Sequence, residues 1–267
     1  MRKERKSAFI RKIKNFYKEN KREFAWRNTV DPYRILVSEV MLQQTQVSRV
    51  KDKYKSFLKK FPTVKKLAAA KQGEVLKEWQ GLGYNRRGLF LHRSAKEIVE
   101  KFNGKVPKES EALQSLPGIG KNTVGSIQAF AFNIPSVFIE TNIRRVFIHE
   151  FFKNKSNIED AKIFPLIEET LDGKNPREWY FALMDYGAHL PKIVKNPNRK
   201  SRHYTKQSKF EGSMRQLRAR ILKDILKKSR KKQEFIKEIN DERAKEAISS
   251  LVREGFIKEQ KGILKAI

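Results

Sequence analysis

Helical periodicity runs through most of the chain in short stretches, and proline or glycine closes nearly every one. Apolar positions recur at three- and four-residue spacing over 8–18, 34–60, 64–70, 73–80, 87–102, 109–115, 121–132, 141–153, 159–172 and 178–188. Between them stand Asp31-Pro32, Phe61-Pro62, Gly81 and Gly83, Gly104 with Pro107, Pro117-Gly118, Pro135 and Gly173. Short helices with brief connections predict an all-α bundle rather than a sheet protein.

Charge says what such a bundle meets. Sixty Lys+Arg stand against 30 Asp+Glu, a formal net charge of +30. Adaptation to heat raises Glu and Lys together, whereas here acids are outnumbered two to one. The surplus therefore points to a polyanion, nucleic acid ahead of an acidic membrane surface. No apolar run reaches membrane-spanning length, and the basic N-terminus MRKERKSAFIRKIKNFYKENKR lacks the apolar stretch of a secretory signal. The expected location is cytoplasmic, on the nucleoid. The absence of cysteine excludes disulfides, thiol nucleophiles and thiolate-held zinc or iron–sulfur clusters. His92, His149, His189 and His203 are not at metal-ligand spacing, so no metal is expected.

Three features carry chemistry. In LPGIGKNTVG (116–125), Pro117, Gly118 and Gly120 make a tight turn between two helices. Bare glycines let backbone approach a ligand closely, and amides at the start of the next helix suit an anion, with Lys121 beside them. The turn reads either as a structural hairpin or, in so basic a chain, as a clamp on a DNA phosphate. In RILVSEVMLQQTQV, Glu39 is the only acid between Asp31 and Asp52. A carboxyl among Ile35, Leu36, Val40 and Leu42 is desolvated, which raises its pKa and suits a general acid. In SVFIETNIRRV, Glu140 follows an apolar run and precedes a helix start at Thr141-Asn142, so it reads equally as a cap. Glycoside-type hydrolysis needs one carboxyl to protonate the leaving group and another to stabilise an oxocarbenium-like cation. Spacing alone does not bring Glu39 and Glu140 together.

Past residue 190 the pattern changes. PKIVKNPNRKSRHYTKQSKF (191–210) is basic and poor in apolar residues, as a linker or DNA-facing loop is. MRQLRARILKDILKK, KKQEFIKEI and DERAKEAISSLVREGFI then read as three helices, and KEQKGILKAI as a strand pair. That order predicts a winged helix over 205–267, with a helical tail on the main domain as the alternative.

Residues 20–190 resemble the adenine DNA glycosylases of the helix-hairpin-helix superfamily, which remove adenine mispaired with 8-oxoguanine or guanine. The resemblance is carried by REFAWR, DPYRILVSEVMLQQTQV, FPTVKKLAAA, WQGLGYNRRGLFLHRSA, LPGIGKNTVGSI, NIRRV and MDYGA. It implies a glycosylase domain over 1–204, with the N-terminal helix packing on the 175–204 segment and a six-helix lobe at about 28–140. Glu39 then matches the family's catalytic acid, and Glu140, with Asn142 and Asn122, the rest of the catalytic group. Arg22, Trp26, Arg27 and Leu42 fall in the base pocket. Gln44, Thr45, Leu82 and Tyr84 fall where the family invades the base stack, and Gly118, Gly120 and Lys121 would hold phosphate.

Three departures stand out. Glu140 replaces the family's catalytic aspartate, one methylene shorter. The cysteines of the family's iron–sulfur cluster are absent, which resembles the clusterless branch and implies no cofactor. The usual C-terminal domain that reads 8-oxoguanine is replaced by the predicted winged helix. Strand-cleaving relatives carry a lysine where Asn122 stands, so hydrolysis without lyase chemistry is expected, by a monomer acting on mismatched double-stranded DNA. A thymine or uracil mismatch glycosylase on the same fold, and a non-catalytic DNA-binding protein, are the alternatives.

Overall fold

Breakers fall where helices end, with one informative exception. A computed structural model describes residues 3–267. Along the chain run α1 (Lys3–Asn20), α2 (Pro32–Leu42), α3 (Val47–Lys60), α4 (Val64–Ala69), α5 (Gln72–Trp79), α6 (Arg86–Lys101) and α7 (Ser110–Ser115). There follow α8 (Lys121–Phe132), α9 (Thr141–Phe151), α10 (Phe164–Thr170) and α11 (Pro176–Ile193). The exception is 34–60, whose unbroken periodicity predicts one helical run. It splits at 43–46 because Gln44 adopts a φ of 52°, a left-handed conformation that no right-handed helix passes through. Neither proline nor glycine announces it.

Two units divide these helices. One comprises residues up to Val40 and Val106–Lys206, the other Met41–Lys105 and Gln207–Ile267. In the first, α1 lies along α11, and Phe9, Ile13 and Tyr17 bury one α1 face against α9 and α11. Phe9 sits 5.4 Å from Phe147 and 6.0 Å, edge-on, from Trp179. Rings that size, fully buried, each contribute about 2–3 kcal/mol, so the aromatic seam is the main fastener of this unit.

In the second unit the C-terminal region is a winged helix. Its order is α12 (Met214–Lys227), β1 (Arg230–Lys231), α13 (Lys232–Ile239), α14 (Ala244–Arg253), β2 (Ile257–Gln260) and β3 (Ile263–Ala266), with sheet order β1-β3-β2, all antiparallel. The β2–β3 hairpin turns on Lys261 and Gly262, at φ 50° and 70°, the mirror-image turn that matches strand twist. Strand β1 adds to the predicted strand pair, and its two residues are too few to carry a readable period. The winged helix is seated on α5 and α6 rather than tethered loosely. Leu76 and Leu89 join its apolar core, Gln72 donates to the Gly255 carbonyl at 2.7 Å, and the Gly73 N–H donates to Ile267 O at 2.8 Å. Arg86 and Arg218 both pair with Glu254, at 2.9 and 2.7 Å, and Arg218's hydrogen bond holds its carboxyl down at about 2. Among the described residues no helix is long and apolar enough to cross a membrane.

Candidate active site

Helix α2 begins where Asp31 Oδ1 accepts the Tyr33 and Arg34 N–H groups, at 2.9 and 3.3 Å. Ile35, Leu36, Val37, Ser38, Val40 and Met41 are all buried, so the helix is packed nearly all round. Glu39 is thus a carboxyl on an apolar helix, with only part of it reaching solvent. Burial pushes its pKa from 4.5 up to about 7; the Ser126 hydroxyl hydrogen bond pulls it down, the Glu140 charge pushes it further up, and Arg27 pulls it down. Within the first unit, the charge of Glu140 thus reaches Glu39.

Glu140 is brought there by α8. Gly118 at φ 78° turns the chain after α7, and Gly120 caps α8 with open space where a Cβ would stand. Gly120 and Lys121 are both exposed at the N-terminus of α8, where backbone amides suit an oxyanion. Further along α8, a Cβ at Gly125 would come within 2.7 Å of Phe138 Cβ, so the 136–140 segment lies directly on the helix. The Asn122 side-chain oxygen accepts the Ile139 N–H at 3.1 Å, and Tyr180 donates to Ser136 O at 2.7 Å. Both bonds aim the segment at the start of α9.

There Glu140 is the cap that the sequence allowed. As N-cap of α9 its Oε1 accepts the N–H groups of Asn142 and Ile143, each at 2.8 Å, and its Oε2 accepts from Asn142 Nδ2 at 3.2 Å. Burial raises its pKa, opposed by those two backbone N–H groups and by Arg145 and Arg144. Arg145 donates to Asn142 Oδ1 at 2.8 Å and Gly187 O at 2.7 Å, so besides its charge it holds Asn142, which donates to Glu140. The two carboxyls differ in support: Glu39 has one hydroxyl partner and a pKa raised to about 7, whereas Glu140 accepts from two backbone N–H groups with Arg145 and Arg144 nearby.

Close approach sets this corner. A Cβ at Gly187 would lie 2.4 Å from the Asn142 carbonyl oxygen, which fixes α11 against the first turn of α9. An alanine in a helix normally adds about 1 kcal/mol. Gly187→Ala is expected to do the reverse, costing about 1–3 kcal/mol through overpacking and moving Glu140 with α9. Urea unfolding of the variant beside wild type checks it; equal or greater stability would refute the contact.

Arg22, Trp26 and Arg27 also gather in this unit, around an aspartate that the sequence motifs leave without a role. Asp185 of α11 is 2% exposed and accepts from Arg22 Nε at 2.6 Å, Arg22 N–H at 2.9 Å, and Arg27 Nη1 and Nη2 at 2.8 Å each. Arg27 further lies over the rings of Phe24 and Phe181, at 5.1 and 4.5 Å, and Trp26 stacks on Phe24 at 4.9 Å. Asp185 is the only acid in the apolar stretch WYFALMDYGAHL (179–190), the same kind of signal that singles out Glu39. Ser126 and Arg145 carry no comparable signal.

The remaining sequence candidates belong to the second unit. Leu42 ends α2, half-buried. Gln44 and Tyr84 are exposed and both left-handed, at φ 52° and 45°, while Thr45 is half-buried and donates to Leu82 O at 3.3 Å. Leu82 is 2% exposed, so it anchors its loop from beneath rather than presenting a side chain outward.

Where a cluster-bearing relative would place cysteines, this chain has a 3₁₀ turn at Pro197–Lys200 and a bridge between Ile158 and Ser201. Asn196 Oδ1 accepts from Arg145 at 3.1 Å and Asn198 donates to Thr141 O at 2.9 Å. These side chains brace α9 and do not fit an iron–sulfur cluster. Among the described residues no group of three potential metal ligands occurs.

Residues 37–169 match the family model described as HhH-GPD superfamily base excision DNA repair protein. The adenine DNA glycosylase of Buchnera aphidicola subsp. Baizongia pistaciae is 36% identical over 186 residues, 68% of this chain and 52% of that protein. The thymine/uracil-DNA glycosylase of Methanothermobacter thermautotrophicus is 28% identical over 69% of this chain and 85% of its own length. The solved structure of a thermostable thymine-DNA glycosylase superposes with a TM-score of 0.65 at 27% identity, covering 74% of this chain and 92% of that one. The chain spans about half the length of the first of these relatives.

Proposed function

Since the chain belongs to the HhH-GPD superfamily of base excision DNA repair proteins, we propose that it is a monofunctional DNA glycosylase that removes adenine mispaired with 8-oxoguanine or guanine. The carrying observation is the pair of unlike carboxyls: Glu39 on an apolar helix, its pKa pushed up to about 7 by burial, and within electrostatic reach of it Glu140, capping the N-terminus of α9. Glu39 gives its proton to a ring nitrogen of the extruded adenine, which turns the base into a neutral leaving group. As the glycosidic bond breaks, positive charge grows on the deoxyribose, and the Glu140 carboxylate faces it. Water adds at the anomeric carbon and gives up a proton, which restores the Glu39 carboxyl and leaves free adenine and an abasic strand.

Substrate handling follows the two units. In the first unit the Gly118–Lys121 turn takes a strand phosphate and Arg22, Trp26 and Arg27 shape the base site; in the second, Gln44, Thr45 and Tyr84 enter the stack with Leu82 beneath them. Asn122 is an amide engaged with Ile139 and forms no Schiff base, so the strand is left uncut. With no cysteine in the chain, the enzyme works without an iron–sulfur cluster. It acts as a monomer on nucleoid DNA in the cytoplasm.

A second reading, a thymine or uracil mismatch glycosylase, draws support from the relative of which this chain covers 85%, and from Glu140 in place of aspartate. Single-turnover base release decides between them. The substrates are duplexes with A opposite 8-oxoguanine, A opposite G, and T or U opposite G, scored with and without alkali. Alkali-dependent cleavage of the adenine strand alone is expected. Release of thymine or uracil alone would overturn the adenine assignment, and cleavage without alkali would overturn the monofunctional one.

A further inference from the structure

Gln44 and Tyr84, both exposed residues of the second unit, adopt left-handed backbone conformations, and neither is glycine or asparagine. Such residues are uncommon and persist only where surrounding structure enforces them. One side chain reaches both loops. Arg87, in the first turn of α6, donates through Nη1 to Met41 O at 2.9 Å and to Gln43 O. Through Nη2 it donates to Thr45 Oγ1 at 2.8 Å, Gly83 O at 3.2 Å and Leu82 O at 3.4 Å. The acceptors bracket Gln44 on one loop and immediately precede Tyr84 on the other. The guanidinium also lies over the rings of Trp79 and Tyr84, at 5.6 and 5.5 Å.

We infer that Arg87 is a positioning residue for base extrusion, a cationic staple that locks the 43–45 and 82–84 loops into one preformed wedge. The inference rests on the reading that these loops meet DNA. Only a guanidinium can reach so many acceptors at once, because its planar fork presents several N–H groups at fixed angles, whereas an ammonium is a single point of donation. Gly88 lets α6 lie against the Trp79 ring, 2.9 Å from where a Cβ would stand, and the Arg87 guanidinium lies over that same ring. Burial lowers the Arg87 pKa to about 10, which leaves it charged at neutral pH. A wedge held open before DNA arrives spends no binding energy on ordering itself when the base leaves the stack.

The test separates extrusion from folding and from bond cleavage. In a Glu39→Gln background, Arg87→Met and Arg87→Lys are compared with the parent on duplexes carrying 2-aminopurine beside the target adenine, whose fluorescence rises on unstacking. Arg87→Met should lose most of that rise and Arg87→Lys part of it, with thermal unfolding run on each to show a folded protein. In the otherwise wild-type chain, Arg87→Met should slow release of adenine opposite guanine by about 100-fold, the scale of an ångström's misplacement. Release of adenine opposite an abasic site, where no pair must be broken, should change far less. Equal slowing on both substrates, or an undiminished fluorescence rise, would overturn the staple. Should the wild-type chain release thymine or uracil instead, the adenine reading falls and the same paired-against-unpaired comparison is run on that base. If Arg87→Met does not fold, Arg87→Lys alone carries the comparison, through its partial loss on the paired substrate.

Discussion

Glu39→Gln is expected to abolish base release while leaving duplex binding intact. An amide of the same shape keeps the packing of α2 but has no proton to give, and a positioned general acid supplies about 10²–10⁴ in rate. The loss should fall in the single-turnover rate and not in the affinity for mismatched duplex, because Glu39 lies on an apolar helix and not on a phosphate-binding surface. Retained base release in Glu39→Gln would remove the chemical assignment. The pH dependence carries a further sign. With a pKa raised from 4.5 to about 7, Glu39 holds its proton below neutrality, so wild-type release should decline as pH climbs through 7.

The same carboxyl makes a stability statement. Its folded pKa lies above its unfolded one, so its stabilisation is complete below pH 4.5 and is lost as pH rises through about 7. At pH 8 the ionised, desolvated group costs about 2–3 kcal/mol relative to a neutral one, after allowance for the part that solvent reaches. Glu39→Gln should therefore melt several degrees higher than wild type at pH 8, with the gap narrowing toward pH 5. A variant that loses activity and gains stability marks a site kept at a cost to the fold. Equal melting temperatures at pH 8 would mean that Glu39 is well solvated.

What can be read in the sequence follows from how locally each feature is determined. Glu39 and Glu140 are legible because each is a lone acid next to an apolar run, and the winged helix because its periods change within a few residues. The break between α2 and α3 is not, since Gln44's left-handed conformation is enforced by an arginine more than 40 positions on. Asp185 shows the boundary most clearly. Its lone-acid signal is present, but its meaning lies in Arg22 and Arg27, 163 and 158 residues away, and only the packing of α11 brings them together. Likewise no pattern announces that Gly73 receives the end of β3, since the glycine's role is to leave room for a strand distant in the chain.

Replacement of Asp185 should give the largest loss of stability among single changes at the site. Its carboxyl is 1% exposed and the Arg27 side chain 5%, so Asp185→Ala leaves a guanidinium buried without its counter-charge. Breaking one partner of such a pair costs about 3–5 kcal/mol, enough to bring a domain of ordinary stability close to unfolding. Asp185→Asn keeps the shape and some hydrogen bonds and should cost less, which makes it the variant for chemistry. Arg27 already pulls the Glu39 pKa down. Without the aspartate's charge to offset it, Arg27 should pull harder, so Glu39 should release its proton at lower pH. The decline in base release should accordingly move to more acidic pH in Asp185→Asn, with affinity for DNA unchanged. A stability loss with an unmoved pH profile would leave Asp185 as packing alone. A shifted profile would show that the buried ion pair sets how long Glu39 keeps its proton as the pH rises.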